Sequence, residues 1–190
     1  MKVLCYVILL FGPCLCTKPR SREIDRYLLH AGAKELIPYS EDQALFFEHS
    51  GGGKANLKVK RITNENTRIG VDDCAGAYNV HERQAYFLNG YPFDITLILD
   101  ATDSTGGVIN VAVNKYHFII PFNNDFNFRC SDLTTCYSTL QINNTGYTDV
   151  VECLSPYEHR GIYPYTIWYN RTHGLLQITM SNGESYTLLP

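Results

Sequence analysis

From Leu57 to the C-terminus the chain runs in short stretches of alternating or continuous apolar residues, each ended by a turn signal. A side-chain period of two belongs to extended strands with one buried face, and it leaves little room for helices. Leu57-Lys58-Val59-Lys60-Arg61-Ile62 alternates for most of its length, and Phe93, Ile95, Leu97 and Leu99 share one face of the next clear run. Val108 to Val113 and Tyr116 to Phe122 follow, joined by Asn114-Lys115, a two-residue connection of the tight-hairpin kind. Later runs are 138–142, 147–151, 165–169, 175–180 and 185–189, the last two separated by Asn182-Gly183. Asn-Gly between two such runs is the strongest short hairpin signal. Many short strands with regular turns predict an all-β protein, with antiparallel sheets packed as a sandwich or barrel.

The N-terminus reads differently. Lys2, the apolar run Val3 to Phe11, the Gly12-Pro13 break and Cys14-Leu15-Cys16 have the three-part layout of a secretory signal peptide. The apolar run is too short to span a bilayer. The expected division is therefore a signal peptide at 1–16, a leader at 17–55, and a β-domain at 56–190 ending in a C-terminal β-hairpin extension. Within the leader, Ser21 caps a short helix whose apolar positions are Ile24, Tyr27, Leu28 and Leu29, while Gly51-Gly52-Gly53 reads as a hinge. The expected product is secreted, with no membrane anchor.

Cysteine use agrees with export. Seven cysteines occur, and Cys5, Cys14 and Cys16 fall in the signal segment. The remaining Cys74, Cys130, Cys136 and Cys153 allow two disulfides in an oxidising compartment. Three pairings are possible, and spacing alone does not choose among them; in one of them Cys130 and Cys136 close a small loop, which leaves Cys74 with Cys153. No C-x-x-C pair is present, so a zinc site is not expected. Asn143-Asn144-Thr145 and Asn170-Arg171-Thr172 are glycosylation sequons. The net charge of −3 at pH 7, with no basic stripe, argues against a nucleic-acid partner.

Three further motifs follow one another at near-regular spacing: Gly76-Ala77-Tyr78-Asn79-Val80-His81-Glu82-Arg83, Gly90-Tyr91-Pro92-Phe93-Asp94-Ile95, and Val111-Ala112-Val113-Asn114-Lys115-Tyr116-His117-Phe118. With the run from Leu140 to Val151 after them, the stretch from Gly76 to Cys153 resembles the second half of a galectin carbohydrate-recognition domain. The corresponding family patterns are Gly-Ala-Trp with Gly-x-Glu-x-Arg, Gly-x-Pro-Phe-x-Ile, Val-Ala-Val-Asn-Gly-x-His-Phe, and Leu-x-Ile-x-Gly-Asp. The resemblance implies a two-sheet antiparallel β-sandwich, a galectin-like jelly roll, here preceded by a short N-terminal helical leader. It also implies a glycan-binding face. Tyr78 stands where the family has its sugar-stacking Trp, His81 replaces the Glu, Glu82 lies beside it, and Arg83 keeps the Arg. The preceding strand pair lacks His-x-Asn-Pro-Arg and offers Lys58, Arg61, Asn64 and Arg68 instead.

These residues predict a secreted carbohydrate-binding protein of altered or reduced galactoside specificity, with glycans or glycoproteins as partners. The alternative is a secreted β-sandwich effector that binds an extracellular protein and has lost sugar binding. No Gly-x-Ser-x-Gly, His-Glu-x-x-His or phosphate-loop motif occurs, so no enzyme activity, metal or cofactor is expected. The lectin reading requires Tyr78 and Arg83 to turn toward a common groove.

Overall fold

The computed structural model describes residues 21–72, 76–103, 106–156 and 159–189; the expected signal peptide and Cys74 lie outside them. In chain order the elements are β1 (Arg22–Tyr27), α1 (Ala31–Lys34), β2 (Ala44–His49), β3 (Lys54–Asp72), β4 (Ala77–Tyr91), β5 (Asp94–Asp103), β6 (Gly106–Val113), β7 (Tyr116–Asn123), β8 (Thr134–Ile142), β9 (Thr145–Leu154), β10 (Pro164–Asn170), β11 (Gly174–Met180) and β12 (Ser185–Leu188). Every run singled out above falls on one of these strands, with Phe93 and Leu189 just outside the ends of β5 and β12.

The strands hydrogen-bond in the order β7-β6-β5-β4-β3-β2-β12-β11-β10-β9-β8, all antiparallel along this path. Two meanders, β2 to β7 and β8 to β12, thus join edge to edge where Thr187 of β12 faces Glu48 of β2. The end strand β7 then approaches β9, one strand in from the other end, with the Cys153 Sγ 3.8 Å from the Ile119 carbonyl oxygen. The segment between β7 and β8 helps fill that seam, where the Arg129 amide donates to the Pro121 carbonyl at 2.8 Å. The result is one nearly closed sheet around one core. The pairing does not divide the strands into the two stacked sheets expected of a jelly roll. Tight turns explain this, because short connections such as Asn114-Lys115 and Asn182-Gly183 place consecutive strands side by side instead of letting them cross.

The face containing Phe93, Ile95, Leu97 and Leu99 is buried, and Ile109, Val111, Val113, Phe118 and Ile120 join it from β6 and β7. Asn114 takes a φ of 56° at the β6–β7 turn, and its Oδ1 accepts from the Asp94 amide at 2.9 Å. Gly90 lies opposite Leu57 of β3, and a Cβ there would meet the Asn56 carbonyl oxygen. That close approach is why the position before the Pro92 strand entry carries no side chain.

The leader is not an appendage. The helix expected over Glu23 to Leu29 is instead strand β1, paired in parallel with the edge of β4 from Ala77 to His81. Ile24 and Leu28 are 50% and 62% exposed, so the apolar spacing that suggested a helix buries nothing. Pairing with β4 gives the backbone hydrogen bonds that such a helix would have had to make alone. The helix that does form, α1, starts after His30, whose Nδ1 accepts from the Gly32 amide at 3.1 Å. The segment around it enters the core through Leu29, Ala33, Leu36, Ile37 and Tyr39. The Tyr169 hydroxyl donates to the Leu36 carbonyl at 2.7 Å, and the Leu175 amide donates to the Tyr39 hydroxyl at 2.7 Å. β2, also in the expected leader, is a central strand of the sheet. The proposed boundary at residue 55 therefore cuts through β3, and the C-terminal hairpin of β11 and β12 is the piece that joins β2, not an extension.

Cys130 and Cys136 form a disulfide with their Cα atoms 5.7 Å apart, an ordinary separation for a bridge. The expected second bridge is not made by Cys153, whose thiol is free and buried on the inner face of β9. Burial pushes that thiol up to about 12, so it stays protonated and unreactive.

Candidate functional site

The candidate residues all lie on β3 and β4, which pair from Asn56 to Asp72. Residues directly opposite each other in an antiparallel pair share a face, and neighbours along a strand alternate. Between Arg61 and Gly70 the register has no shift. Tyr78 lies opposite Gly70 and Glu82 opposite Asn66, so these two share a face with Asn64, which lies opposite Gln84. His81 lies opposite Thr67, Arg83 opposite Glu65, and Arg61 opposite Phe87, all on the other face. Tyr78 and Arg83 therefore face away from each other. The groove that the galectin resemblance requires is not assembled.

The individual contacts give the same answer. His81 is 6% exposed, and its Nδ1 sits 2.5 Å from the Ala101 carbonyl oxygen with its ring 4.9 Å from that of Tyr27. A carbonyl only accepts, so Nδ1 carries the proton. Arg83 donates through Nε and Nη2 to one oxygen of Asp100, at 2.8 and 2.7 Å. Asp100 is buried, and its other carboxylate oxygen has no partner among the described residues. Glu82 accepts from the Lys34 Nζ at 2.7 Å and from the Leu29 amide at 2.9 Å. It thereby ties the segment leading into α1, and α1 itself, to β4. Lys58 pairs with Asp42 at 2.6 Å.

His81, Glu82 and Arg83 thus use their polar atoms within the fold, and Lys58 is paired at the surface. The partners Leu29, Lys34, Ala101 and Asp100 are distant in sequence from the residues they hold. No local pattern could have disclosed them.

The Glu82 carboxyl is held below the ordinary range, first by the hydrogen bond from Lys34 and also by the Leu29 amide, against an opposing effect of burial. A depressed folded-state value stabilises the protein above the unfolded value of 4.5 and stops doing so as pH falls through the lower folded value. Melting temperature should therefore drop as pH falls from 5 toward 3. Glu82→Gln should start lower at pH 7 and show a shallower acid loss; parallel curves for the two proteins would contradict the linkage.

Of the candidate residues on β3, Arg61 and Arg68 have no carboxylate partner among the described residues. The Arg61 guanidinium lies 4.6 Å from the Phe87 ring centroid and the Arg68 guanidinium 4.8 Å from that of Tyr78. Arg68 occupies a face of the ring on which a sugar would have to stack. Among the described residues no group of three metal-ligating side chains is gathered.

No protein-family model, curated protein or solved structure matches the chain. What the chain does must therefore be argued from its own geometry.

The two sequons differ in the same physical terms. Asn143 is exposed in the β8–β9 turn. Asn170 is 1% exposed, its Nδ2 donates to the Thr148 carbonyl at 3.2 Å, and its Oδ1 accepts from the His173 amide at 2.8 Å. A glycan needs that Nδ2 and open space around it, and the fold leaves neither. Expressed through a secretory pathway, the chain should lose glycan mass with Asn143→Gln. Asn170→Gln should leave the glycan unchanged and lower the melting temperature. Glycan loss on Asn170→Gln would show that the β10 terminus folds differently.

Proposed function

We propose that this chain is an exported, non-enzymatic binding protein that holds a protein partner through the free end of the β3–β4 ribbon. The observation that carries this reading is the apolar exposure there. Ile69 and Val71, at the end of β3 where the register with β4 shifts between Gly70 and Asp72, are 39% and 56% exposed. On the other side of β4, Ile24 of β1 is also exposed, as is Leu28 just past the end of that strand. Exposed apolar groups gathered at one place, rimmed by polar ones, are characteristic of protein-interaction sites. Export is supported by the N-terminal layout and by the Cys130–Cys136 bridge, which suits an oxidising compartment.

The alternative, a glycan-binding protein, draws on the galectin-like motifs. It needs a cluster of unpaired hydroxyl-binding groups around an open aromatic face. The pairing of Glu82, Arg83 and Lys58 within the protein argues against it, as does Arg68 over Tyr78. Architecture shared with a lectin carries no sugar chemistry by itself.

The deciding experiment presents the folded chain and its Ile69→Asp/Val71→Asp variant to cell-surface proteins, with a glycan array run in parallel. The reading expects capture by the parent, loss of capture in the variant, and an empty array. Capture competed by free sugar, with both proteins folded, would overturn it in favour of the lectin.

A further inference from the structure

β3 is 19 residues long, but its two edges are not equally covered. On one side β4 runs its whole paired length. On the other side β2 stops early: its last pair is Ala44 with Lys58, and the final bonds are Asp42 N to Val59 O at 2.9 Å and Val59 N to Gln43 O at 2.9 Å. From Lys60 to Asp72, no strand among the described residues lies beside that outer edge. Every second residue along it presents an amide and a carbonyl to solvent, which is a template for a further strand.

The side chains along this edge state which strand fits. Lys60, Arg61 and Arg68 outnumber Glu65 and the terminal Asp72, and Glu65 already lies opposite Arg83 of β4. Arg61 and Arg68 are each stacked on an aromatic ring, so their guanidinium groups are held in place with no carboxylate upon them among the described residues. A stacked arginine loses less conformational freedom when it binds an acid. A second copy of this chain would bring the same excess of positive charge against itself. That charge disfavours self-pairing and favours an acidic strand.

We propose that the β3 edge from Lys60 to Val71 binds an extended acidic peptide segment of a partner protein by strand addition. Acidic side chains seven residues apart in that segment would meet Arg61 and Arg68. An odd separation on an extended chain sends the two acids to opposite faces of the enlarged sheet, as Arg61 and Arg68 are placed. Backbone pairing supplies affinity and the two arginines supply selectivity. This rests on the protein-binding reading above and names the chemistry of the partner, but it uses the edge of the ribbon and not its apolar face.

The test uses the full secreted chain and two fluorescent Thr/Val-rich peptides of ten residues, one with Glu at positions 2 and 9, the other with Lys there. Anisotropy titration is expected to show the Glu peptide binding at least tenfold more tightly, with weaker binding at higher salt. Arg61→Ala and Arg68→Ala should each reduce affinity several-fold. Asn66→Pro/Glu65→Pro, which removes the one outward amide of this adjacent pair, should abolish binding. If that variant fails to fold, Asn66→Lys, which keeps the strand and adds a cation, should bind the Glu peptide more tightly than the parent does, and unchanged or weaker binding would overturn the proposal. Equal binding of both peptides, or none, would overturn the proposal, as would a dimer in sedimentation that Arg68→Ala strengthens. If the Glu peptide fails while Ile69→Asp/Val71→Asp still abolishes protein capture, the edge proposal falls and the protein-binding reading stands.

Discussion

Arg83→Ala is expected to destabilise the protein by about 3 kcal/mol, because it strands a buried carboxylate. Asp100 is 6% exposed, and both bonds it accepts at Oδ2 come from Arg83, while its Oδ1 has none. Removing the guanidinium leaves a charge in a poorly solvated place with nothing to balance it. Chemical denaturation of the two proteins measures the difference. Asp100→Asn in the same background should restore part of the loss, since a neutral amide is less costly to bury than an unpaired carboxylate. A cost under about 0.5 kcal/mol would fit an exposed arginine reserved for a ligand, the role the galectin resemblance implies, and would contradict the paired geometry. The experiment therefore bears on function as well as stability: a residue that holds the fold is not free to hold a sugar.

Gly90→Ala is expected to cost at least as much, about 3 kcal/mol or more, by a different route. The added Cβ would meet the Asn56 carbonyl oxygen and crowd the Leu57 Cα, all of it backbone. A flexible side chain could swing aside; a strand cannot move without breaking its pairing with β4. β3 and β4 would have to separate near Leu57, which is fully buried between β2 and the core. Thermal unfolding should show a drop of several degrees, and Gly146→Ala gives the control, since nothing lies near its Cβ position. Equal melting temperatures for the two variants would mean that β3 and β4 lie further apart than described.

The contrast between these glycines shows where sequence reading works. Gly90-x-Pro92 before a strand is a local pattern, and it was legible as a motif. So were most strands from Leu57 onward, because alternation is a property of neighbours, although β4 and the part of β3 after Ile62 were not singled out. The β6–β7 and β11–β12 turns were legible through Asn114-Lys115 and Asn182-Gly183 for the same reason. β1 was misread because Ile24, Tyr27 and Leu28 have helical spacing, and only the free edge of β4 made an extended form preferable. β2 was missed because a short run near three glycines resembles a linker until β12 comes to lie beside it.

The candidate site shows the other limit. Tyr78, His81, Glu82 and Arg83 match a family pattern in order, yet side-chain direction depends on whether the strand runs on unbroken. Here β4 is continuous, so residues five apart point to opposite faces.

By itself the sequence determined that the chain is built of short antiparallel strands with tight turns, since these follow from contacts between near neighbours. Only the tertiary structure decided that the strands form one nearly closed sheet, that Glu82 and Arg83 are tied to Lys34 and Asp100, and that β3 keeps a bare edge. Those outcomes depend on which distant segments come to lie together, and burial there takes up charges that the sequence alone leaves free.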